Sequence, residues 1–248
     1  MLKGLMRNLI LLILFLSLAI AADDWTKNKK AIDASIKKHE RALIKISDEI
    51  WHNAELALEE YKSSKILADY AEKNGFSLER GVAGMPTAFI ATYGSGRPRI
   101  GILGEFDANA GISQKAQSTK EALIEGAPGH GCGHNLYGTG SLGAAIAIKE
   151  LIAQGKIKGT IVFYGTPAEE TIFGKVWFAR AGLFNDLDVC MDWHPGDDME
   201  AATQSSKALI DFRVKFSGKA SHASADPWNG FSAVDAMELF TTGINYYR

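Results

Sequence analysis

The stretch Gly159-Thr160-Ile161-Val162-Phe163-Tyr164-Gly165-Thr166-Pro167-Ala168-Glu169-Glu170 decides how the chain reads. Its first half is a short run of β-branched and aromatic residues, which predicts a buried strand over 159–164. Its second half sets two adjacent carboxylates just past the end of that strand. The same order recurs. Residues 99–103 form an apolar strand followed by Gly104-Glu105-Phe106-Asp107-Ala108, and 187–191 form another followed by Asp192-Trp193-His194-Pro195. Residues 140–153, dense in Ala and Ile, predict a helix preceded by Gly129-His130-Gly131-Cys132-Gly133-His134-Asn135.

Working outward, Ile32, Ile36, Leu43, Ile46 and Ile50 recur at helical spacing within 23–52. A second helix is expected over 54–74, with Leu56, Tyr61, Ile66, Leu67, Tyr70 and Ala71 inward and Asn74-Gly75 as its stop. Residues 87–93 read as a strand that would pair with 99–103 as a hairpin across Gly94-Ser95-Gly96. A short helix is expected over 174–181. Strands alternating with helices predict an α/β fold with a largely parallel sheet. The pattern changes near 203–206. From there Ala208, Ile210, Phe212, Val214 and Phe216 share one face of a half-exposed strand, and 231–247 begin a helix.

The N-terminus has its own logic. Lys3 and Arg7 precede an apolar stretch, and Ala19-Ile20-Ala21 offers small residues at a cleavage spacing. This predicts an export signal over 1–21 rather than a membrane anchor, hence a periplasmic or secreted chain with no membrane association after cleavage. The expected division is 1–21 signal, 22–204 an incomplete catalytic domain, and 205–248 the start of a second domain. Among 248 residues, 27 Lys and Arg face 29 Asp and Glu, which leaves no basic excess for a nucleic-acid backbone. Two cysteines exclude a disulfide scaffold.

Four strand-end loops thus carry Asp, Cys with His, a Glu pair, and His. Thiolate, imidazole and carboxylate are the ligand types that hold zinc and similar divalent ions. Glycines flanking Cys132 and His134 let the two side chains converge. Within the Glu pair, one carboxylate can ligate while its neighbour takes a proton from water. Two other readings of Cys132 stand beside this one. It could be a nucleophile paired with His134 or His194, although nearby carboxylates raise a thiol pKa. It could also pair with Cys190 in a disulfide, although Cys190 inside an apolar strand reads as a buried thiol.

These motifs, with Asn53-Ala54-Glu55-Leu56, Glu59-Glu60 and Gly218-Lys219-Ala220-Ser221-His222-Ala223, resemble the M20 family of metallopeptidases and its amidohydrolase branch. Residues 129–136 and 225–230 are similar to the aminobenzoyl-glutamate utilisation B group within it. The resemblance implies a metal-binding α/β hydrolase domain with an inserted α+β lid or dimerisation domain, and homo- or hetero-dimers of the full-length form. It implies Cys132, His134, Glu170 and His194 as metal ligands and Glu169 as general base. Asp107 would orient a ligand from outside the set, and His222, from the lid, would steady the developing oxyanion. Many relatives have a ligating His where this chain has Glu105, a departure that leaves the second metal's ligand set open. The implied cofactor is one or two divalent ions, zinc or manganese. The implied reaction is hydrolysis of the amide in a small N-acyl or aroyl amino acid or dipeptide-like substrate, aminobenzoyl-glutamate among the options. Family members are longer and gain a last His ligand after the lid. The chain therefore reads as C-terminally truncated, and the alternative is an inactive fragment with partial metal binding.

Overall fold

A computed structural model describes residues 2–201, 205 and 207–247, with side chains from residue 25 onward. It divides into two compact units, Met1–Asp198 and Met199–Arg248. The domain boundary expected at 204/205 falls where Thr203, Gln204 and Ser206 lie outside the described residues. The signal expected over 1–21 lies where no side chain is described. Among the described residues no helix is long and apolar enough to cross a membrane.

In the first unit, helix α1 (Leu2–Asn53) leads to α2 (Tyr61–Lys73). The expected start of α2 at 54 is not observed. Residues 54–60 form a corner in which Ala54 and Leu58 both take positive φ, so the backbone there cannot be helical. Leu56 and Tyr61 are accordingly exposed, while Leu67, Ala68 and Ala71 are fully buried. Strands β1 (Ser77–Arg80), β2 (Phe89–Ser95), β3 (Arg99–Gly104), β4 (Gly159–Gly165) and β5 (Val189–Met191) form one sheet in the order β1-β2-β4-β3-β5.

The hairpin expected between β2 and β3 does not form. Strand β4 lies between them, antiparallel to β2 and parallel to β3. All seven residues of β4 are buried, which suits the central position and leaves β2 and β3 flanking it. Parallel pairing holds for β3–β4 and β3–β5, and antiparallel pairing for β1–β2 and β2–β4, so the sheet is mixed rather than largely parallel. β1 has an almost wholly exposed pattern and no apolar alternation to announce it.

Helix α3 (His134–Ala153) joins α1 and α2 on one face. There Ile46, Ile50, Leu67, Leu142 and Ile146 close on Phe89, Ile161 and Phe163. The alternate residues Ile90, Val162 and Tyr164 face the other side, where Met85, Leu103 and Phe178 complete a second core. Phe178 belongs to α5 (Gly174–Arg180), which follows the single-turn α4 (Glu169–Ile172). Two-sided burial of this kind places loops, not faces, at the disposal of function.

The second unit carries α6 (Ala233–Asn245), capped by Ser232 Oγ, which accepts from the Asp235 N–H at 3.0 Å. The strand expected over 205–216 is not formed among the described residues. Among the described residues of this unit no strand lies beside it to take its backbone hydrogen bonds. Phe212 and Phe216 instead approach the Phe240 ring at centroid distances of 6.2 and 5.7 Å, with Phe212 and Val214 still exposed.

Candidate metal centre

The strand-end loops of β3, β4 and β5 and the N-terminus of α3 converge at one edge of the sheet. Helix α3 starts at His134 because Gly133 takes a left-handed φ of 78° and turns the chain into it. The N–H of Cys132 donates to Asn109 Oδ1 at 3.2 Å, which fixes the loop before the helix. Gly138 lets α3 lie directly on the β3 loop: a Cβ there would sit 2.5 Å from the Glu105 carbonyl oxygen.

His134 is completely buried, and its Nδ1 stands 2.9 Å from Asp107 Oδ1 and 3.1 Å from the Asp107 carbonyl. Both partners only accept, so Nδ1 carries the hydrogen and a neutral ring presents a lone pair at Nε2. The other oxygen of Asp107 accepts the Glu170 N–H at 2.8 Å. One carboxylate therefore fixes both an imidazole and the backbone of the Glu pair. His194 is set the same way: Nδ1 donates to the Pro195 carbonyl at 2.8 Å, and Nε2 faces Cys132 Sγ at 3.4 Å. The loop bearing His194 is docked on α3. Trp193 Nε1 donates to Ser141 Oγ at 3.0 Å, and the Tyr137 hydroxyl donates to Asp192 Oδ1.

Ligand-type atoms gather in two groups that share His134. Cys132, His134 and His194 form one, and Glu105, His134 and Glu169 the other, each with its atoms within 4.8 Å of one another. Glu170 lies alongside, with Oε1 3.7 Å from His134 Nε2. Both of those atoms are buried, and neither has a hydrogen bond of acceptable geometry. Glu105 Oε2 does stand 3.0 Å from Nε2, but as an ion-pair distance without hydrogen-bond alignment. An imidazole nitrogen buried among carboxylates calls for a positive charge between them, supplied by a bound cation or by the ring's own proton. The residues thus fit a divalent cation with N, S and O donors.

Without an ion the surrounding carboxylates favour the charged ring. Burial pulls the His134 imidazole down, but Asp107 and Glu105 more than offset it, and its pKa rises to about 10, so a metal ion would take the place of the Nε2 proton. Burial, then Glu170, Glu169 and Glu105, push the Cys132 thiol up to about 11. That is the reverse of what a free cysteine nucleophile needs. Burial, then Glu105, raises Glu169.

Of the residues read from sequence, Asp107, Cys132, His134, Glu169, Glu170 and His194 are brought together. His222 belongs to the second unit. Its Nδ1 accepts from the Ser224 and Ala225 N–H groups at 3.2 and 3.1 Å, which leaves the hydrogen of a neutral ring on Nε2. The buried thiol expected at Cys190 is not observed, and the alternative disulfide is not formed. Cys190 is exposed because β5 is an edge strand, and both cysteines are free, so no disulfide joins it to Cys132. Glu105, marked in the sequence as the departure from a ligating His, is buried within the site. One further residue is not legible in the sequence: Lys175, from α5, donates to Glu105 Oε1. The lysine sits in an ordinary helical run, and nothing in that run announces it.

Residues 116–228 match the family model described as Peptidase family M20/M25/M40. The chain is 42% identical over 216 residues to a p-aminobenzoyl-glutamate hydrolase polypeptide of Escherichia coli strain K12, covering 87% of this chain and 45% of that protein. It is 33% identical over 224 residues to the Xaa-Arg dipeptidase of Homo sapiens, covering 82% and 46%. A solved structure, the Bacillus subtilis YXEP protein described as a dinuclear metal binding peptidase from the M20 family, aligns with a TM-score of 0.56 at 25% identity. That alignment covers 65% of this chain and 44% of that one. The chain thus spans about half the length of the curated relatives it matches.

Proposed function

We propose that the chain is a peptidase of the M20 type, on its match to that family model over 116–228 and its 42% identity to one relative, and that it holds a divalent metal ion and hydrolyses the amide bond of a small N-acyl or aroyl amino acid or dipeptide. The observation that carries the reading is the pair of buried atoms His134 Nε2 and Glu170 Oε1, 3.7 Å apart and neither in a hydrogen bond. Cys132, His134, Glu170 and His194 would hold the ion, and the thiolate favours zinc over manganese.

When bound, such an ion polarises the scissile carbonyl and acidifies a water. The protein's own residues supply the rest. Asp107 keeps His134 in the tautomer with Nε2 free. Glu169, raised above the ordinary carboxylate range by burial, takes the proton of the attacking water and returns it to the leaving amine. His222 would donate from Nε2 to the oxyanion, a role that rests on its motif and its tautomer. Residues 205–248 would open a lid or dimerisation domain, and 1–21 would direct export.

The test is a panel of p-aminobenzoyl-glutamate, N-acetyl amino acids and Xaa-Arg dipeptides on zinc- and manganese-loaded protein. Metal-dependent release of a free amino acid supports the reading. Tight metal binding with no hydrolysis of any member would reduce the proposal to a metal-binding chain.

A further inference from the structure

The last turn of α1 and the corner that follows it, residues 50–60, touch three of the loops that build the metal centre. The Ile50 carbonyl accepts from His130 Nε2 at 3.0 Å, just before Cys132. The Glu55 carbonyl accepts the Ala108 N–H at 2.9 Å, just after Asp107. Glu60 Oε1 accepts the Ala168 N–H at 2.9 Å, just before the Glu169–Glu170 pair. The first two contacts use backbone oxygens that any residue would offer. The third depends on one side chain.

Glu60 is an expensive group to place there. It is fully buried, and burial pushes its pKa up to about 7. Its Oε2 accepts the Thr87 hydroxyl at 2.8 Å. Thr87 is itself pinned, since its carbonyl accepts from Ser64 Oγ at 2.7 Å. The carboxyl therefore has a fixed mount on one side and the Ala168 N–H on the other. Ala168 is also fully buried and takes φ 62°, ψ 32°, a left-handed conformation that a residue with a Cβ seldom adopts unless its surroundings hold it. That conformation turns the chain between Pro167 and the first turn of α4, where both carboxylates lie. The far side of the same turn is held by Asp107, through the Glu170 N–H.

We propose that Glu60 is a positioning residue for the Glu169–Glu170 pair: its carboxyl group holds the Ala168 backbone left-handed so that both carboxylates reach the metal centre. The ligand roles in this statement rest on the function proposed above. Glu60 touches neither metal nor substrate. It acts through one backbone N–H at a sequence distance of 108 residues.

Three variants test it. Glu60→Gln keeps an acceptor of the same reach, Glu60→Asp withdraws it by one methylene, and Glu60→Leu removes it. The readouts are Co²⁺ affinity by competition with a chelator and amide hydrogen exchange at 168–170 in the metal-free protein, with far-UV circular dichroism as the folding check. Glu60→Gln should bind Co²⁺ as wild type does. Glu60→Asp and, if it folds, Glu60→Leu should bind roughly tenfold or more weakly, the usual cost of losing a group that orients a ligand. In both, the Ala168 amide should lose exchange protection. Wild-type affinity and protection in Glu60→Asp would overturn the proposal, as would a Glu60→Gln variant as impaired as Glu60→Asp. If the wild type itself fails to bind Co²⁺, the functional reading falls, and exchange at Ala168 alone decides the role of Glu60.

Discussion

Asp107 Oδ1 and His134 Nδ1 lie 2.9 Å apart with both side chains shut off from solvent, and this contact sets the chemistry of the site. A carboxylate can only accept, so the ring hydrogen is held at Nδ1 and Nε2 is left for an ion. The same carboxylate reaches the Glu170 backbone, so ligand orientation and loop position share one anchor.

Replacing that anchor should separate metal affinity from folding. Asp107→Asn keeps the shape but offers an amide N–H to Nδ1, which moves the ring hydrogen to Nε2. We expect zinc affinity to fall by about 10–100-fold while the circular dichroism spectrum is unchanged. Calorimetric zinc titration checks this, and wild-type affinity in the variant would remove Asp107 from the account.

Thiol chemistry distinguishes ligation from other uses of Cys132. Both cysteines are free, so two thiols should react with a disulfide reagent in the denatured, metal-free protein. In the folded protein, zinc should protect Cys132 and leave the exposed Cys190 reactive. Equal protection of both, or of neither, would contradict ligation by Cys132.

Glu60 should leave a signature in the pH dependence of stability. Its pKa rises from the ordinary 4.5 to about 7 because burial disfavours the charged form. Below 4.5 the group is protonated in both folded and unfolded chains, so its favourable contribution is fully present. Between 4.5 and about 7 the unfolded chain ionises first, and stability is lost as pH rises. The loss is on the order of 3 kcal/mol by linkage. Glu60→Gln cannot ionise, so its stability relative to wild type should grow across that window and level off above it. Urea unfolding from acid to mildly basic pH measures the difference, and a constant offset would refute the assignment.

Gly138 marks where the helix and the β3 loop meet. A Cβ at this position would lie 2.5 Å from the Glu105 carbonyl, which cannot move without shifting the loop. Gly138→Ala should therefore destabilise the protein by about 1–3 kcal/mol in denaturant melts. Gly155→Ala meets no atom within 4 Å but has φ 68°, so its smaller loss would come from backbone strain alone.

Much of this site is legible in the sequence because Asp107, Glu169, Glu170 and His194 follow strand ends, and strands with two buried faces announce themselves as apolar runs. Residues 159–165 and 99–104 do so, and the polar residues following each lie in the centre. Pairing is harder to read. The β2–β3 hairpin is sound locally, but β4 intervenes, and a partner so distant in sequence leaves no local mark. The corner at 54–60 reads as helix because the positive φ of Ala54 and Leu58 is imposed by tertiary contacts, with no glycine to signal it. Lys175 escapes for a related reason: its partner Glu105 is 70 positions away.

The most direct test of the central claim is Co²⁺ titration followed by absorption spectroscopy, on the wild type and on Cys132→Ser, His134→Asn and Glu170→Gln. A thiolate-to-cobalt charge-transfer band should appear in the wild type and be absent in Cys132→Ser, with affinity reduced at least about tenfold in the other two. A wild-type chain that binds Co²⁺ without that band, or variants that bind it equally well, would contradict a metal centre built on Cys132, His134 and Glu170.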